Sequence, residues 1–405
     1  MPNPAVGLLC DVEAHGTALG GTVVARLADG RVCFIAGGIP GERLRVRITA
    51  IKRSFAEAEL VEVLRASPDR VSPPCAVFGA CGGCQYQHVA YARQVALKAE
   101  QLCATLQRLG GVRVGVGGLD ELHAAPSPWA YRNRIALHAA ASGGFGYTDG
   151  ANRTVIPITA CPLARSEISA EIPRLSAGPA RVKLRWSPGD GLVVYAGETV
   201  DDLPWRNDAV AGLPYRVPTG SFAQVNPEVA ELLFALVGRW IAAIPAQRVI
   251  DAYCGAGFLG LAVTDRPVCG LELDPRSLVA ATANAAARGL ASSHVYIAGD
   301  VDRLLAAQLE TAAAATCLIL DPPRAGCGAA TIATISRRQP GWILYVSCEP
   351  STLARDLKLL LPAGYRVVRT ALLDMFPHTA HFETVVLLEH VAVPGGATAV
   401  PGSTP

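Results

Sequence analysis

An apolar run passes directly into a glycine turn at Arg248-Val249-Ile250-Asp251-Ala252-Tyr253-Cys254-Gly255-Ala256-Gly257. A buried strand, a Gly-x-Gly turn and a helix in that order begin many parallel α/β sheets, with the turn facing a ligand. The same alternation of apolar strands and helices continues downstream to residue 390. The sequence therefore predicts an α/β fold, with a parallel, doubly wound sheet in the second half of the chain.

The periodicity of this half assigns each segment to a strand or a helix. The predicted strands occupy residues 248–253, 268–273, 294–298, 317–321, 342–347, 365–373 and 383–390. The predicted helices occupy residues 227–240, 258–264, 276–288, 301–309, 328–337 and 351–361. Because no helix joins the last two strands, we expect them to form an antiparallel hairpin at the edge of the sheet.

Length and composition narrow the class of protein. With 405 residues the chain is long enough for two or three domains, and its net charge of only +2 means that any nucleic-acid site must be local. It has no apolar run of membrane-spanning length and no apolar N-terminal signal, which predicts a cytoplasmic protein. In such a protein the twelve cysteines are not expected to form disulfides.

Residues 1–70 have the pattern of short strands separated by turns, and Asp29-Gly30 predicts a tight hairpin within a small β-barrel. Alternation places Arg43, Arg45 and Arg47 on one face of a strand. That face is either simply solvated or, in a barrel too small to enclose a ligand, a contact to a nucleic-acid backbone. The predicted strands are 22–26, 31–35, 43–48 and 58–64, followed by a helix over 88–109 and a strand-rich region over 125–215.

The glycine turn has acidic partners at the ends of the next two strands. Glu272 could accept hydrogen bonds from both hydroxyls of a ribose, and Asp300 could meet an adenine edge. A Gly-x-Gly turn by itself is as often only a tight connection between strand and helix. The turn together with the two acids, and without phosphate ligands, favours S-adenosylmethionine over NAD.

A thiol and a carboxylate follow at the same predicted edge. Cys348 ends the strand at 342–347, just before Pro350, and Glu383 begins the last strand. Asp321-Pro322-Pro323-Arg324 forms a stiff loop after the neighbouring strand. We expect the start of the helix after Cys348 to favour its thiolate, and Glu383 to act as a base on the adduct that the thiolate forms.

A pyrimidine is the substrate that needs both groups. Thiolate addition at C6 makes C5 nucleophilic enough to accept a methyl group, and a carboxylate must then remove the C5 proton. Because a stacked base cannot be reached, it must be extruded, and Phe222 is a candidate to stack on it. The alternative for Phe222 is a place in the apolar core.

Four cysteines form a second candidate site. Cys75, Cys81 and Cys84 lie within ten residues, and Cys161 precedes a proline far along the chain. Three close thiols with one remote thiol favour an iron–sulfur cluster, although zinc is also possible. The cysteines expected to be small buried hydrophobes are Cys10, Cys33, Cys103, Cys269 and Cys317, and no chemistry is assigned to Cys254 or Cys327.

Taken together, these motifs resemble the RNA uracil-5-methyltransferase family over nearly the whole chain. The motifs are Pro40-Gly41-Glu42, Cys75-x5-Cys81-Gly82-Gly83-Cys84-Gln85 with Cys161, Tyr131-Arg132-Asn133-Arg134, Ser221-Phe222-Ala223-Gln224-Val225-Asn226, Asp321-Pro322-Pro323-Arg324, Ser347-Cys348-x-Pro350 and Phe376-Pro377-His378-Thr379-x-His381-x-Glu383.

The resemblance implies a role for each site residue. Cys348 is the nucleophile and Glu383 the proton acceptor, a [4Fe–4S] cluster lies on the four cysteines, and Phe222 and Arg132 contact RNA. The cofactor contacts fall on Gln224, Tyr253, Phe258, Glu272, Asp300 and Asp321. Two residues depart from the family pattern: Phe258 replaces a small or amide residue, and Glu349, after the nucleophile, replaces Asn or Asp.

The resemblance also implies the domain order and the partner. It predicts an RNA-binding TRAM β-barrel (1–70), a central iron–sulfur and RNA-binding domain (71–218), a Rossmann-like class I methyltransferase domain (219–392) and a disordered tail (393–405). The protein is expected to be a monomer without an obligate protein partner. Ribosomal RNA, specifically 23S rRNA, is the expected substrate, and the alternatives are transfer RNA, a DNA cytosine methyltransferase, or a non-catalytic RNA-binding redox sensor.

Overall fold

The fold is that of a computed structural model, which describes residues 5–114, 118–176, 178–196, 204–210 and 212–391. The tail predicted over 393–405 lies outside these residues. Among the helices of the described ranges, none combines the length and the apolar character that a bilayer crossing requires.

The N-terminal part is a six-stranded sheet folded around one apolar core, in the order β1-β5-β6-β4-β3-β2. The predicted hairpin at Asp29-Gly30 is present between β3 and β4, which pair antiparallel. The strands are β1 (Leu9–Glu13), β2 (Gly16–Thr17), β3 (Val23–Arg26), β4 (Val32–Ile35), β5 (Arg43–Ile51) and β6 (Phe55–Arg65). The small all-β unit expected from the sequence is therefore present, with two additional strands at its start.

The three arginines of β5 lie on the outer face of the sheet, while Leu44 and Val46 are buried between them. Each arginine has an acidic neighbour: Arg43 and Arg45 pair with Asp11 and Glu62, and Arg47 pairs with Glu59. The positive charge of this face is therefore largely neutralised by the adjacent strands.

The central part begins with helix α1 (Tyr91–Thr105), which continues as a wider turn over Leu106–Gly110. A five-stranded sheet in the order β10-β9-β8-β11-β12 and a separate hairpin, β13 with β14, follow. These elements are β7 (Glu121–His123), β8 (Arg134–Ala139), β9 (Phe145–Thr148), β10 (Val155–Pro157), α2 (Ser166–Glu171), β11 (Arg181–Ser187), β12 (Gly191–Ala196), β13 (Trp205–Val210) and β14 (Leu213–Pro218).

The C-terminal part is an eight-stranded sheet in the order β17-β16-β15-β18-β19-β21-β20-β7. Its strands are β15 (Arg248–Ala252), β16 (Val268–Glu272), β17 (His294–Ala298), β18 (Thr316–Leu320), β19 (Trp342–Ser347), β20 (Tyr365–Leu373) and β21 (Glu383–His390). Its helices are α3 (Pro227–Ala242), α4 (Phe258–Val263), α5 (Pro275–Ala287), α6 (Val301–Gln308), α7 (Ala329–Arg338) and α8 (Pro350–Leu360). The predicted α/β sheet and its antiparallel final hairpin are confirmed.

The expected position of that hairpin needs one correction. The hairpin of β20 and β21 is not the edge of the sheet, because β7 pairs in parallel with β20. An exposed edge strand presents unpaired backbone groups, and this short strand from the central part satisfies them over three residues.

Apolar cores cover both faces of this sheet, as the near-continuous apolar strands predict. Neighbouring residues of β15 alternate between the two cores: Val249 faces one and Ile250 the other. Leu102 and Leu106 of the central helix belong to the same core as Ile250. The central helix therefore packs on the C-terminal sheet.

Candidate active site at the carboxyl edge of the sheet

Polar residues follow successive strands along one edge of the C-terminal sheet. In spatial order they are Asp300 after β17, Glu272 at the end of β16, Tyr253 after β15, Asp321 after β18, Cys348 after β19 and Glu383 at the start of β21. Carboxyl ends of parallel strands are where open α/β sheets bind ligands. The fold therefore gathers six sequence-predicted residues into one row.

Strand register places the thiol opposite the carboxylate. β19 and β21 pair antiparallel, and their last paired residues are Ser347 and Thr384. The next position outward on each strand is Cys348 and Glu383. An antiparallel strand starts where its parallel neighbours end, so a residue at its first position shares the carboxyl edge with them. The predicted nucleophile and the predicted base are thus brought together.

Burial dominates the electrostatics of this pair. Glu383 is 4% exposed, and burial together with the Asp321 carboxylate raises its pKa well above the ordinary value. Burial raises the pKa of Asp321 as well, because the charged form loses its hydration. The Arg324 guanidinium opposes the rise in the pKa of Glu383. Two neighbouring carboxyls of raised pKa, one buried and one half-buried, favour sharing a proton.

The thiol is not the thiolate that the sequence led us to expect. Burial, followed by the charge of Glu383, raises the pKa of Cys348 to about 11, and Arg324 acts in the opposite direction. Desolvation and the charge of Glu383 thus act against the thiolate that the start of α8 was expected to favour. Deprotonation of Cys348 must depend on Arg324 and on the charge state of Glu383.

Glu349, one of the two departures from the family pattern, points away from the thiol. Its carboxylate caps α8, accepting the Ser351 backbone N–H at 3.4 Å and the Ser351 hydroxyl at 2.7 Å. An acid in this position stabilises the helix start. Its negative charge is therefore held by the helix rather than directed at Cys348.

Beside the thiol lies a cavity at the glycine turn, and four predicted cofactor residues line it: Gln224, Tyr253, Phe258 and Asp321. Tyr253 has a left-handed backbone, with φ of 65°, which turns the chain sharply after β15. Phe258 packs against Tyr215 at 4.7 Å between ring centroids, so it contributes an apolar wall where the family pattern has a small or amide side chain.

The two remaining cofactor candidates lie further along the edge, outside the lining of this cavity. The Glu272 carboxylate accepts the backbone N–H groups of Gly255 at 2.9 Å and Asp274 at 2.8 Å, so it braces the glycine turn. Asp300 is exposed and caps α6 by accepting the Asp302 N–H at 2.9 Å. Both acids therefore have structural partners in addition to any ligand.

Phe222 lines the same cavity and is 62% exposed, so the alternative of a core residue is wrong. The turn that carries it is braced by two arginines. Arg134 donates to the Ser221 carbonyl at 3.0 Å, and the buried Arg185 donates to the Thr219 carbonyl at 3.0 Å. An exposed aromatic ring on a rigid turn is suited to stacking on a flat ligand.

The four predicted cluster cysteines, Cys75, Cys81, Cys84 and Cys161, line one cavity in the central part of the chain. All are free thiols. Burial raises the pKa of Cys84 to about 12, while Arg132, which also lines the cavity, acts to lower it. Within the described ranges, no three side chains of His, Cys, Asp or Glu converge tightly enough to hold a single metal ion.

A basic groove adjoins this cavity. Its basic residues are Arg132, Arg134, Arg181 and Lys183, with Tyr147 and Tyr195 between them. Arg132 lines both the groove and the cysteine cavity. Positive charge interleaved with aromatic rings suits a nucleic-acid backbone with unstacked bases.

Comparisons with known proteins agree with this geometry. The family model for tRNA (uracil-5-)-methyltransferase matches residues 207–391, and the TRAM domain model matches residues 11–61. A 23S rRNA (uracil(1939)-C5)-methyltransferase of Pectobacterium atrosepticum is 32% identical, covering 89% of this chain and 90% of the relative. An uncharacterised RNA methyltransferase of Thermosynechococcus vestitus is also 32% identical, over 91% of this chain and 95% of the relative.

The chain belongs to the RNA uracil-5-methyltransferase family. It is an S-adenosylmethionine-dependent enzyme that acts on RNA, and the non-catalytic module and the DNA cytosine methyltransferase are thereby excluded. The fold of a solved family structure agrees: the Pyrococcus abyssi tRNA (uracil-54, C5)-methyltransferase bound to S-adenosyl-L-homocysteine matches with a TM-score of 0.71 and 22% identity, covering 93% of this chain and all of that one.

Within this methyltransferase, two site residues were not singled out from the sequence. The charge of Arg324 lowers the pKa of both Cys348 and Glu383. The pKa of His381 is affected by the charges of Arg324 and Glu349. Burial and Arg324 lower the pKa of His381 to about 4, so its imidazole is neutral near pH 7. The position of Arg324 directly after Asp321-Pro322-Pro323 was the available signal.

The electrostatics of the methyltransferase site predict how Cys348 reacts with iodoacetamide. The alkylation rate should rise with pH towards a midpoint above that of an ordinary thiol. Arg324→Gln removes the favourable cation and should move the midpoint to higher pH, whereas Glu383→Gln removes the opposing charge and should move it lower. Mass spectrometry of the Cys348 peptide follows this one thiol among twelve, with the Cys103 peptide as an internal reference. Identical midpoints in all three proteins would contradict this account.

Proposed function

We propose that this enzyme forms 5-methyluridine in ribosomal RNA through a covalent bond between Cys348 and C6 of the target uracil. One observation carries the proposal: the register that pairs Ser347 with Thr384 sets Cys348 opposite Glu383, at the same sheet edge as Asp321, which lines the glycine-turn cavity. A thiol and a base on the same side of one edge are the two groups that methylation at C5 requires.

The proposed reaction proceeds through a covalent adduct. The Cys348 thiol loses its proton to solvent and the thiolate bonds to C6, while the C5–C6 electron pair moves towards the C4 carbonyl and makes C5 nucleophilic. S-adenosylmethionine, held by residues of the glycine-turn cavity, would supply the methyl group to C5 and would become S-adenosylhomocysteine. Glu383 takes the C5 proton, the electron pair of that C–H bond re-forms the C5–C6 double bond, and the Cys348 sulfur departs. Glu383 then returns its proton to solvent.

The raised pKa of Glu383 supports its role as the base. A carboxyl of ordinary pKa is a weak base at neutral pH, whereas burial beside Asp321 makes the carboxylate more basic. Arg324 limits this effect and also favours the Cys348 thiolate. The same guanidinium therefore favours the attacking thiolate but moderates the basicity of Glu383.

The surface beside the site supports binding of extruded RNA. Phe222, exposed at the mouth of the cavity, would stack on the flipped uracil, and Arg132 with the basic groove would hold the neighbouring phosphates. The outer face of β5 contributes less, because its arginines are paired with acids.

We propose ribosomal RNA rather than transfer RNA as the substrate because of the relatives that the chain resembles. The 23S rRNA methyltransferases of Pectobacterium atrosepticum and Cronobacter sakazakii match 89% and 93% of this chain at 32% and 30% identity. The likeness to the archaeal transfer-RNA enzyme, at 22% identity, is one of fold.

We also propose that the three domains of this enzyme meet at residues 70 and 218.

We further propose that Cys75, Cys81, Cys84 and Cys161 hold a [4Fe–4S] cluster. Zinc requires four sulfurs about 2.3 Å from one ion. The four thiols surround a cavity without converging on one point, which suits a wider group with one iron for each sulfur. Such a cluster would join the long segment before α1 to the sheet of the central part; its removal should loosen that junction.

The experiment that tests the substrate proposal supplies tritiated S-adenosylmethionine with three separate pools: unmodified 23S rRNA, unmodified transfer RNA and duplex DNA. Label should enter the rRNA alone, as 5-methyluridine after digestion. Label in transfer RNA instead would overturn the choice of RNA. Label in none of them, with cofactor binding intact, would overturn the proposed activity.

Two substitutions should separate the steps. Cys348→Ala removes the attacking sulfur and should abolish both turnover and the covalent adduct. Glu383→Gln keeps the sulfur but removes the base, so the methylated adduct should accumulate and be visible as a shifted protein band. Asp265→Asn, an acid of the same chain outside the site row, is the control. A Glu383→Gln enzyme that turns over at the normal rate would refute the base assignment.

The cluster proposal predicts the metal content. Protein isolated without oxygen should contain about four irons and about four acid-labile sulfides per chain. Cys81→Ser should lose most of both, whereas Cys103→Ser, at a buried cysteine of α1 outside the cavity, should retain them. Stoichiometric zinc with no sulfide would contradict the assignment.

A further inference from the structure

The loop over residues 374–382 connects β20 to β21 and ends directly at Glu383, yet residues from far earlier in the chain hold it. Gln94 of α1 accepts the His378 backbone N–H at 2.9 Å through Oε1. Its Nε2 lies 3.0 Å from His378 Nδ1. The N–H groups of Gln85 and Tyr86 both donate to the His378 carbonyl, at 3.1 and 2.9 Å. His378 is therefore bound at its N–H, its carbonyl and its ring.

The backbone of the loop is strained at this residue. His378 has a φ of 64°, in the left-handed region that non-glycine residues rarely adopt. Such a conformation persists only where the surrounding structure fixes it. Here the hydrogen bonds from Gln94, Gln85 and Tyr86 provide that restraint, and the Trp129 ring stacks on the imidazole with centroids 3.5 Å apart. Without Gln94, the left-handed conformation loses its buried partner.

The start of the loop is held by the same helix. Lys98, one turn after Gln94, places Nζ 2.6 Å from the Asp374 carboxylate and 3.0 Å from the Phe376 carbonyl. Lys98 and Asp374 are both fully buried. One face of α1 therefore fixes the loop at two points, Asp374 and His378.

We propose that Gln94 is a positioning residue for the catalytic base: by holding His378 it keeps the 374–382 loop closed over Glu383. The inference rests on the proposed function of Glu383. Pairing of Glu383 with Leu373 in the hairpin fixes the backbone of Glu383 on the side of β21. The residue that precedes it, Phe382, is buried and belongs to the loop, so the position of the loop sets the direction in which the chain enters Glu383.

The two reacting groups should respond differently when the loop loosens. Cys348 follows β19, an interior strand that pairs on both sides with β18 and β21, and none of the loop contacts above involve it. Attack on C6 and methyl transfer should therefore proceed. Removal of the C5 proton depends on the aim of the Glu383 carboxylate, and displacements of about 1 Å can slow such a step on the order of a hundredfold.

A matched pair of variants tests this. Gln94→Met removes the amide but keeps an unbranched side chain of similar size. Gln101→Met makes the same change two turns later on α1, at a buried glutamine that bonds the Tyr86 hydroxyl and does not contact the loop. In each enzyme, a single-turnover reaction with 23S rRNA gives the rate of adduct formation and the rate of its release as product.

Gln94→Met should release the adduct about 10- to 100-fold more slowly than wild type, with formation nearly unchanged. Gln101→Met should match wild type in both rates. Because the two rates come from the same active molecules, partial unfolding of a variant does not alter their ratio. Normal release by Gln94→Met, or equal slowing of formation and release, would overturn the inference.

Amide hydrogen exchange of the RNA-free protein provides a second readout. In Gln94→Met the His378 and Ala380 amides should exchange faster than in wild type, while the amides of β19 should not. Unchanged exchange at His378 would also overturn the inference. A wild-type enzyme that forms no adduct would instead refute the proposed mechanism. The exchange result would still show whether Gln94 holds the loop, because it does not depend on the reaction.

Discussion

The active site depends on one reversal of strand direction. The strands β15, β18 and β19 run in parallel, and β21 runs against them. Because of that reversal, the beginning of β21 meets the end of β19, and residues distant in sequence are placed side by side. Had β21 been parallel, Glu383 would lie at the opposite edge of the sheet, about 20 Å from Cys348 given the rise of a six-residue strand. The proposed chemistry needs this topology before it needs any particular side chain.

Desolvation is the second constraint. Burial raises the pKa of the Cys348 thiol, of the Asp321 carboxyl and of the Glu383 carboxyl, so each group resists ionisation. This suits a base, whose carboxylate gains proton affinity, but it opposes a nucleophile, whose thiolate is the reactive form. The positive charge of Arg324 acts on both Cys348 and Glu383. The Glu349 carboxylate caps α8, so its negative charge is not directed at the thiol. The positive charge of Arg324 thus partly offsets the negative charges of the Asp321 and Glu383 carboxylates.

The parts of the chain are joined at the catalytic loop. The 374–382 loop belongs to the C-terminal sheet, but several of its hydrogen bonds come from the segment over residues 85–98, and the Tyr131 hydroxyl donates another to the Pro377 carbonyl. Gln85, next to Cys84, accepts the Ala380 N–H at 3.1 Å, and Gln87 donates to the Cys84 sulfur at 3.2 Å. The cysteine cavity and the proposed base, Glu383, are therefore connected through a few residues of continuous chain. This gives the cysteines a physical route to the active site that does not require them to take part in the reaction.

In the C-terminal half, the order and type of the strands and helices could be predicted from the sequence alone, because apolar periodicity and turn residues are local properties. The sequence also determined which residue types stand at the strand ends, including Cys348, Asp321 and Glu383. The tertiary structure decided what no local pattern records: that β7 closes the edge of the sheet, that Gln94 and Lys98 reach the catalytic loop across almost three hundred residues, and that the arginines of β5 are neutralised by their neighbours. These depend on which surfaces meet when the parts pack. The tertiary structure likewise decided that burial and the charge of Glu383 raise the pKa of Cys348, because a pKa depends on all the groups around the thiol.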